Sequence, residues 1–88
     1  MPYITKKKRK MIDPQLKQVL KLMKAADIDE GTLNYIITRV VLAWLGSKPR
    51  YADYNTARGV LHDVHDEIYR RLVSPYEDKK KETSGDVY

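Results

Sequence analysis

Ala57, Leu61, Val64, Ile68 and Leu72 are spaced four, three, four and four residues apart. Only a helix turns that spacing into one continuous apolar stripe, because about 3.6 residues complete each turn. The same period recurs twice upstream. Ile12, Leu16, Val19, Leu20 and Met23 form one stripe, and Leu33, Ile37, Val40, Val41 and Trp44 form another. No segment alternates with the two-residue period of a half-buried strand. The chain therefore reads as all-α.

Punctuation sets the expected boundaries. Asp13-Pro14 reads as the start of the first helix, with aspartate as N-cap and proline at the first helical position. Asp27-Ile28-Asp29-Glu30-Gly31 reads as a loop. Helix two is predicted from Thr32 to about Leu45, with Gly46 as its cap. Gly46-Ser47-Lys48-Pro49-Arg50 is a break, and helix three follows from about Asp53 to Val73. Gly59 inside it suggests a close helix contact. Pro75 is expected to stop helix three, with Ser74 and Glu77 spaced as a capping box for a short fourth helix to about Glu82. The expectation is a compact bundle of three main helices plus a short C-terminal helix, forming one domain over residues 1–88. A basic extended arm (1–12) precedes it and a tail (83–88) closes it.

Eighty-eight residues leave no room for a large catalytic domain. The absence of cysteine excludes disulfides and cysteine-ligated metal. No apolar run approaches a membrane span, and MPYITKKKRK has no apolar signal region. Helix two is apolar on a second side as well, at Tyr35 and Leu42. In so small a chain that second side is expected to meet another copy, giving a homo-oligomer.

The net charge of +5 is unevenly spread. Residues 1–24 hold eight basic side chains and one acid, whereas residues 25–88 hold nine basic and eleven acidic. Lys6, Lys7, Lys8, Arg9 and Lys10 form a run, and Lys17, Lys21 and Lys24 share one face of the first helix. Such an arm and stripe could track a phosphate backbone by counterion release. Equally, they could be a solvated face.

A second constellation is subtler. Arg58, His62, His65 and Tyr69 recur on one flank of helix three. Arginine forks onto phosphate and tyrosine stacks on a base, which suits a nucleotide site as well as an ordinary polar flank. His62, His65 and Asp66 could converge on a metal, but the spacing is not that of a metalloprotease helix. No metal or other cofactor is expected. Arg70 and Arg71 near the end of helix three complement its macrodipole; the alternative is that Arg71 pairs with Glu77 or Asp78, leaving Arg70 for a partner or ligand. Seven tyrosines and no phenylalanine favour wet interfaces and ligand pockets over a purely packed core. No nucleophile constellation or glycine-rich phosphate loop argues for an enzyme.

Pro2-Tyr3-Ile4, Leu33-Asn34-Tyr35, Tyr69-Arg70-Arg71, Pro75-Tyr76-Glu77-Asp78-Lys79-Lys80 and the closing Gly85-Asp86-Val87-Tyr88 together carry a resemblance. The chain resembles a family of small, functionally uncharacterised helical proteins encoded by bacteriophages and bacteria. The resemblance spans nearly the whole chain and implies a three-to-four-helix protein of a bacterial cytoplasm. It puts weight on Tyr3, Arg9, Asn34, Tyr35, Arg39, Tyr69, Arg70, Tyr76 and the tail, and not on His62 or His65. In composition the chain is also similar to small phage oligomers that hold nucleotide immune signals without cleaving them. The resulting expectation is a non-enzymatic oligomer that binds a small anionic, nucleotide-like ligand through Asn34, Tyr35, Arg39, Arg58, Tyr69, Arg70, Arg71 and Tyr76. A nucleic-acid-binding accessory protein using the lysines is the alternative.

Overall fold

The computed structural model describes residues 2–88, and they are helical with no strand among them. Four helices run in order: α1 (Lys6–Ala26), α2 (Glu30–Leu45), α3 (Tyr51–Ile68) and α4 (Ser74–Ser84). A π turn, Tyr69–Val73, joins α3 to α4. The chain divides into two units, Met1–Pro49 and Arg50–Tyr88. The first unit holds α1 and α2, and the second holds α3, the π turn and α4.

α1 corrects the expected arm. Its helix begins at Lys6, so the basic run lies inside it and, among the described residues, only 2–5 precede it. Thr5 is the cap: its backbone is extended and its hydroxyl accepts the Lys8 N–H at 3.2 Å. Lysine, arginine and methionine are good helix formers, and their summed preference outweighs the repulsion of the run. Pro14 then sits inside the helix and not at its start. It removes one backbone donor, the one that would meet the Lys10 carbonyl, and the helix continues past it.

α2 starts two residues before the expected Thr32. Asp29 accepts the Thr32 N–H at 2.8 Å, the geometry of an N-cap. The helix ends as expected at Gly46, where φ is +74° and the N–H donates to the Leu42 carbonyl at 3.1 Å. A side chain at that φ would be strained, so glycine suits the exit.

α3 also starts earlier than expected. The Asp53 carboxylate accepts the Arg50 backbone N–H at 2.8 Å and receives the guanidinium as well. Two hydrogen-bonded caps therefore bind two carboxylates in their charged form. Asp29 is held below the usual carboxylate range by hydrogen bonds from Thr32, and Asp53 by hydrogen bonds from Arg50. A depressed carboxyl adds stability above its unfolded value and loses it as the pH falls through the folded one. Helicity is expected to fall on acidification below about pH 4. Followed by circular dichroism, Asp29→Asn should flatten that acid dependence. Asp29→Ala should lower the melting temperature more than Asp29→Asn, which keeps an acceptor.

The junction at Pro75 is the second correction. No capping box forms at Ser74, and Val73 and Ser74 keep right-handed helical backbone (φ −75° and −59°). Helical backbone therefore runs on from Tyr51 to Ser84. In an α-helix the proline ring would crowd the Arg71 carbonyl four residues back. The π turn widens the backbone at that place, and the Ser74 N–H donates to Tyr69, five residues back. α4 continues two residues beyond Glu82, and Gly85 (φ +88°) caps it through a 3.0 Å bond to the Lys81 carbonyl.

The apolar stripes lie on the helices expected, but neither unit encloses a core. No residue of α1 or α2 is buried. Met23, Ile28, Ile36, Val41 and Leu45 are half-buried, and Trp44 is 59% exposed. In the second unit only Ala57 is buried, at 7%, and the stripe opens along Leu61, Val64 and Ile68 to Leu72 at 66%. A single helical run has no second element to cover its own stripe.

Gly59 marks no close contact in this chain. A Cβ built there would meet nothing within 4 Å. Gly59→Ala is expected to stabilise α3 by about 1 kcal/mol, the difference in helix preference, read as a higher melting temperature.

Candidate functional site

Four side chains form a polar face on α2. Asn34 and Tyr35 begin it, and Thr38 and Arg39 lie one turn on, because residues four apart stack on a helix. The Thr38 hydroxyl donates to Asn34 Oδ1 at 3.2 Å. Arg39 Nη1 donates to the Tyr35 phenol oxygen at 2.8 Å, with the guanidinium carbon 5.7 Å from the ring centroid. All four are exposed. The Tyr35 hydroxyl is uncharged, so it orients Arg39 without neutralising it. A planar cation, a phenol and an amide thus share one exposed face. That combination suits a phosphate joined to a flat polar ring.

The remaining expected ligand residues belong to the second unit. Arg70 is engaged differently from Arg39: its Nε and Nη2 donate to the two Glu67 carboxylate oxygens, both at 3.0 Å. This is the opposite of the alternative in which Arg71 is paired and Arg70 left for a ligand. Arg70 is the paired arginine, and among the described residues Arg71 makes no ion pair. The reason is reach. Glu67 lies one turn from Arg70, whereas Asp78 lies about two turns, or 10 Å, from Arg71. Tyr69, Arg70 and Arg71 fall within the π turn, and Tyr76 follows in α4 with Lys80 Nζ 5.7 Å from its ring. Arg58 is exposed on α3. All seven tyrosines are exposed, as are most of the apolar side chains.

The histidine cluster has a different membership from the one read in the sequence. His62, Asp63 and Asp66 each offer a donor atom within 4.8 Å of the others, all exposed. Asp63 replaces His65 in that set. The spacing His62-Asp63 to Asp66 could have signalled it. The imidazoles already meet carboxylate: His62 Nδ1 lies 3.3 Å from Asp66 Oδ2, and His65 Nδ1 3.3 Å from Asp66 Oδ1. An open depression elsewhere is lined by Glu77, Asp78, Lys81 and Asp86, among others. It contains none of the arginines, and its carboxylates disfavour an anion.

The basic residues Lys6, Lys7, Lys8, Arg9, Lys10, Lys17, Lys21 and Lys24 all lie on α1 and are exposed. Among the described residues no helix is long and apolar enough to cross a membrane.

The fold and these surfaces define a small all-α protein with exposed tyrosine–arginine and lysine faces. The chain belongs to the family described as a domain of unknown function, DUF6899, whose sequence profile matches residues 1–87. No curated protein and no solved structure matches it.

Proposed function

We propose that the protein is a non-enzymatic, self-associating binding protein that sequesters a small anionic, nucleotide-like ligand. The carrying observation is the Tyr35–Arg39 pair beside Asn34, which presents an oriented guanidinium with its charge uncompensated. In this reading Arg39 meets phosphate, the Tyr35 ring caps the flat part of the ligand, and the Asn34 amide donors read a polar edge. Arg58, Tyr69, Arg70, Arg71 and Tyr76 are the candidate ligand residues of the second unit, with Arg71 the more available cation of the π turn.

Self-association is supported by the uncovered stripes of α1, α2 and α3. A second copy carries the same stripes, and chains this small commonly complete their cores by oligomerisation. Holding a nucleotide immune signal for a phage in a bacterial cytoplasm is the cellular role that fits such a protein. The test is calorimetry of the purified oligomer against cyclic and linear nucleotides. Saturable heat with one class supports the reading, and no heat with any member overturns it.

A further inference from the structure

The helical start at Lys6 has a consequence for the lysines. At about 100° per residue, Lys6, Lys10, Lys17, Lys21 and Lys24 all fall within an arc of about 60°. They form one ridge about 27 Å long on an unbroken helix. An extended arm would have scattered the first two. All five are exposed. Asp13 is the only carboxylate within α1, and it lies at the edge of the ridge. Lys7 and Arg9 flank the first turn, and Lys8 points away.

We propose that this ridge is a binding surface for the phosphodiester backbone of a nucleic-acid duplex. Regularly placed ammonium groups neutralise phosphates without reading bases, and the released counterions drive association. A duplex fits better than a single strand because α1 contains no aromatic residue on which unpaired bases could stack. It also fits better than a lipid surface. A helix lying on a membrane directs its apolar stripe into the lipid with cations on both flanks. Here the ridge is about 120° from the stripe of Ile12, Leu16, Val19 and Met23, on one side only. The surface is independent of the Tyr35–Arg39 face.

The test is fluorescence anisotropy of a labelled DNA duplex with the full chain over a salt series, beside single-stranded DNA and phosphatidylglycerol vesicles. Five neutralised phosphates give a slope of log K against log salt of about −4.5 per chain. Lys17→Gln/Lys21→Gln should shallow that slope by about two and weaken binding at least tenfold at low salt, with helicity retained. Lys48→Gln/Lys79→Gln removes equal charge off the ridge and should change neither. Equal loss in both variants, preference for single strands, or binding to vesicles and not to duplex would overturn the proposal.

Discussion

Ile68→Glu is expected to dissociate the proposed homo-oligomer. Ile68 is 49% exposed in the chain and lies in the stripe with Leu61, Val64 and Leu72. Fully burying an aliphatic side chain contributes about 1.5–3 kcal/mol, so covering the open half contributes roughly 1 kcal/mol per residue. Four such residues contribute about 4 kcal/mol per chain, to which the stripes of α1 and α2 add, against the entropic cost of association. A carboxylate at the centre of that stripe removes one contribution and strands a charge, at a cost of several kcal/mol. Sedimentation velocity should show the parent chain as an oligomer and the variant as a monomer with reduced helix. Val87→Glu, on the 90% exposed tail, should stay assembled. A parent chain that is monomeric and fully helical at micromolar concentration would remove the basis for self-association.

Arg39→Ala is expected to weaken nucleotide binding by roughly ten- to hundredfold. A hydrogen bond to a charged group contributes about 1.5–3 kcal/mol, and each 1.4 kcal/mol is a factor of ten. Arg39→Lys should recover part of the loss, because it keeps the charge and loses the planar fork. Arg70→Ala should have a smaller effect, since the Glu67 carboxylate already occupies both forks of that guanidinium. Arg39 lies outside the main apolar stripe of α2, on the side shared with Tyr35 and Leu42, so sedimentation of Arg39→Ala shows whether that side also carries self-association. The titration and the sedimentation result report separately. If Arg39→Ala binds as the parent does, the α2 face is not the site.

Much of the helical layout is legible in the sequence, because it rests on local chemistry. The end of α2 at Gly46 follows from a backbone conformation that suits glycine. The presence of a short helix after Pro75 follows from the composition of residues 74–84. The misread points share a cause: local signals competed, and their balance depends on backbone geometry. Asp13-Pro14 has the residues of a helix start, yet the cap is Thr5, eight residues earlier, and the helix carries Pro14 within it. Ser74 and Glu77 have the spacing of a capping box, yet the π turn absorbs Pro75 without one. Asn34, Tyr35 and Arg39 are pointed to by the family resemblance, and the four-residue spacing of Tyr35 and Arg39 accounts for their hydrogen bond. The pairing of Arg70 with Glu67 is harder to read, because Arg71 has acids of its own nearby in sequence.

The amino-acid order alone settles the all-α class, the stripes and the exit of α2, since periodicity and capping act over one turn of helix. Three-dimensional structure decides what those local rules leave open. It aligns five lysines by starting α1 at Lys6 and inserts a π turn under Tyr69-Arg70-Arg71. It leaves Arg39 with a neutral partner while Arg70 takes a carboxylate. These outcomes depend on helical phase, and a shift of one residue rotates every later side chain by about 100°.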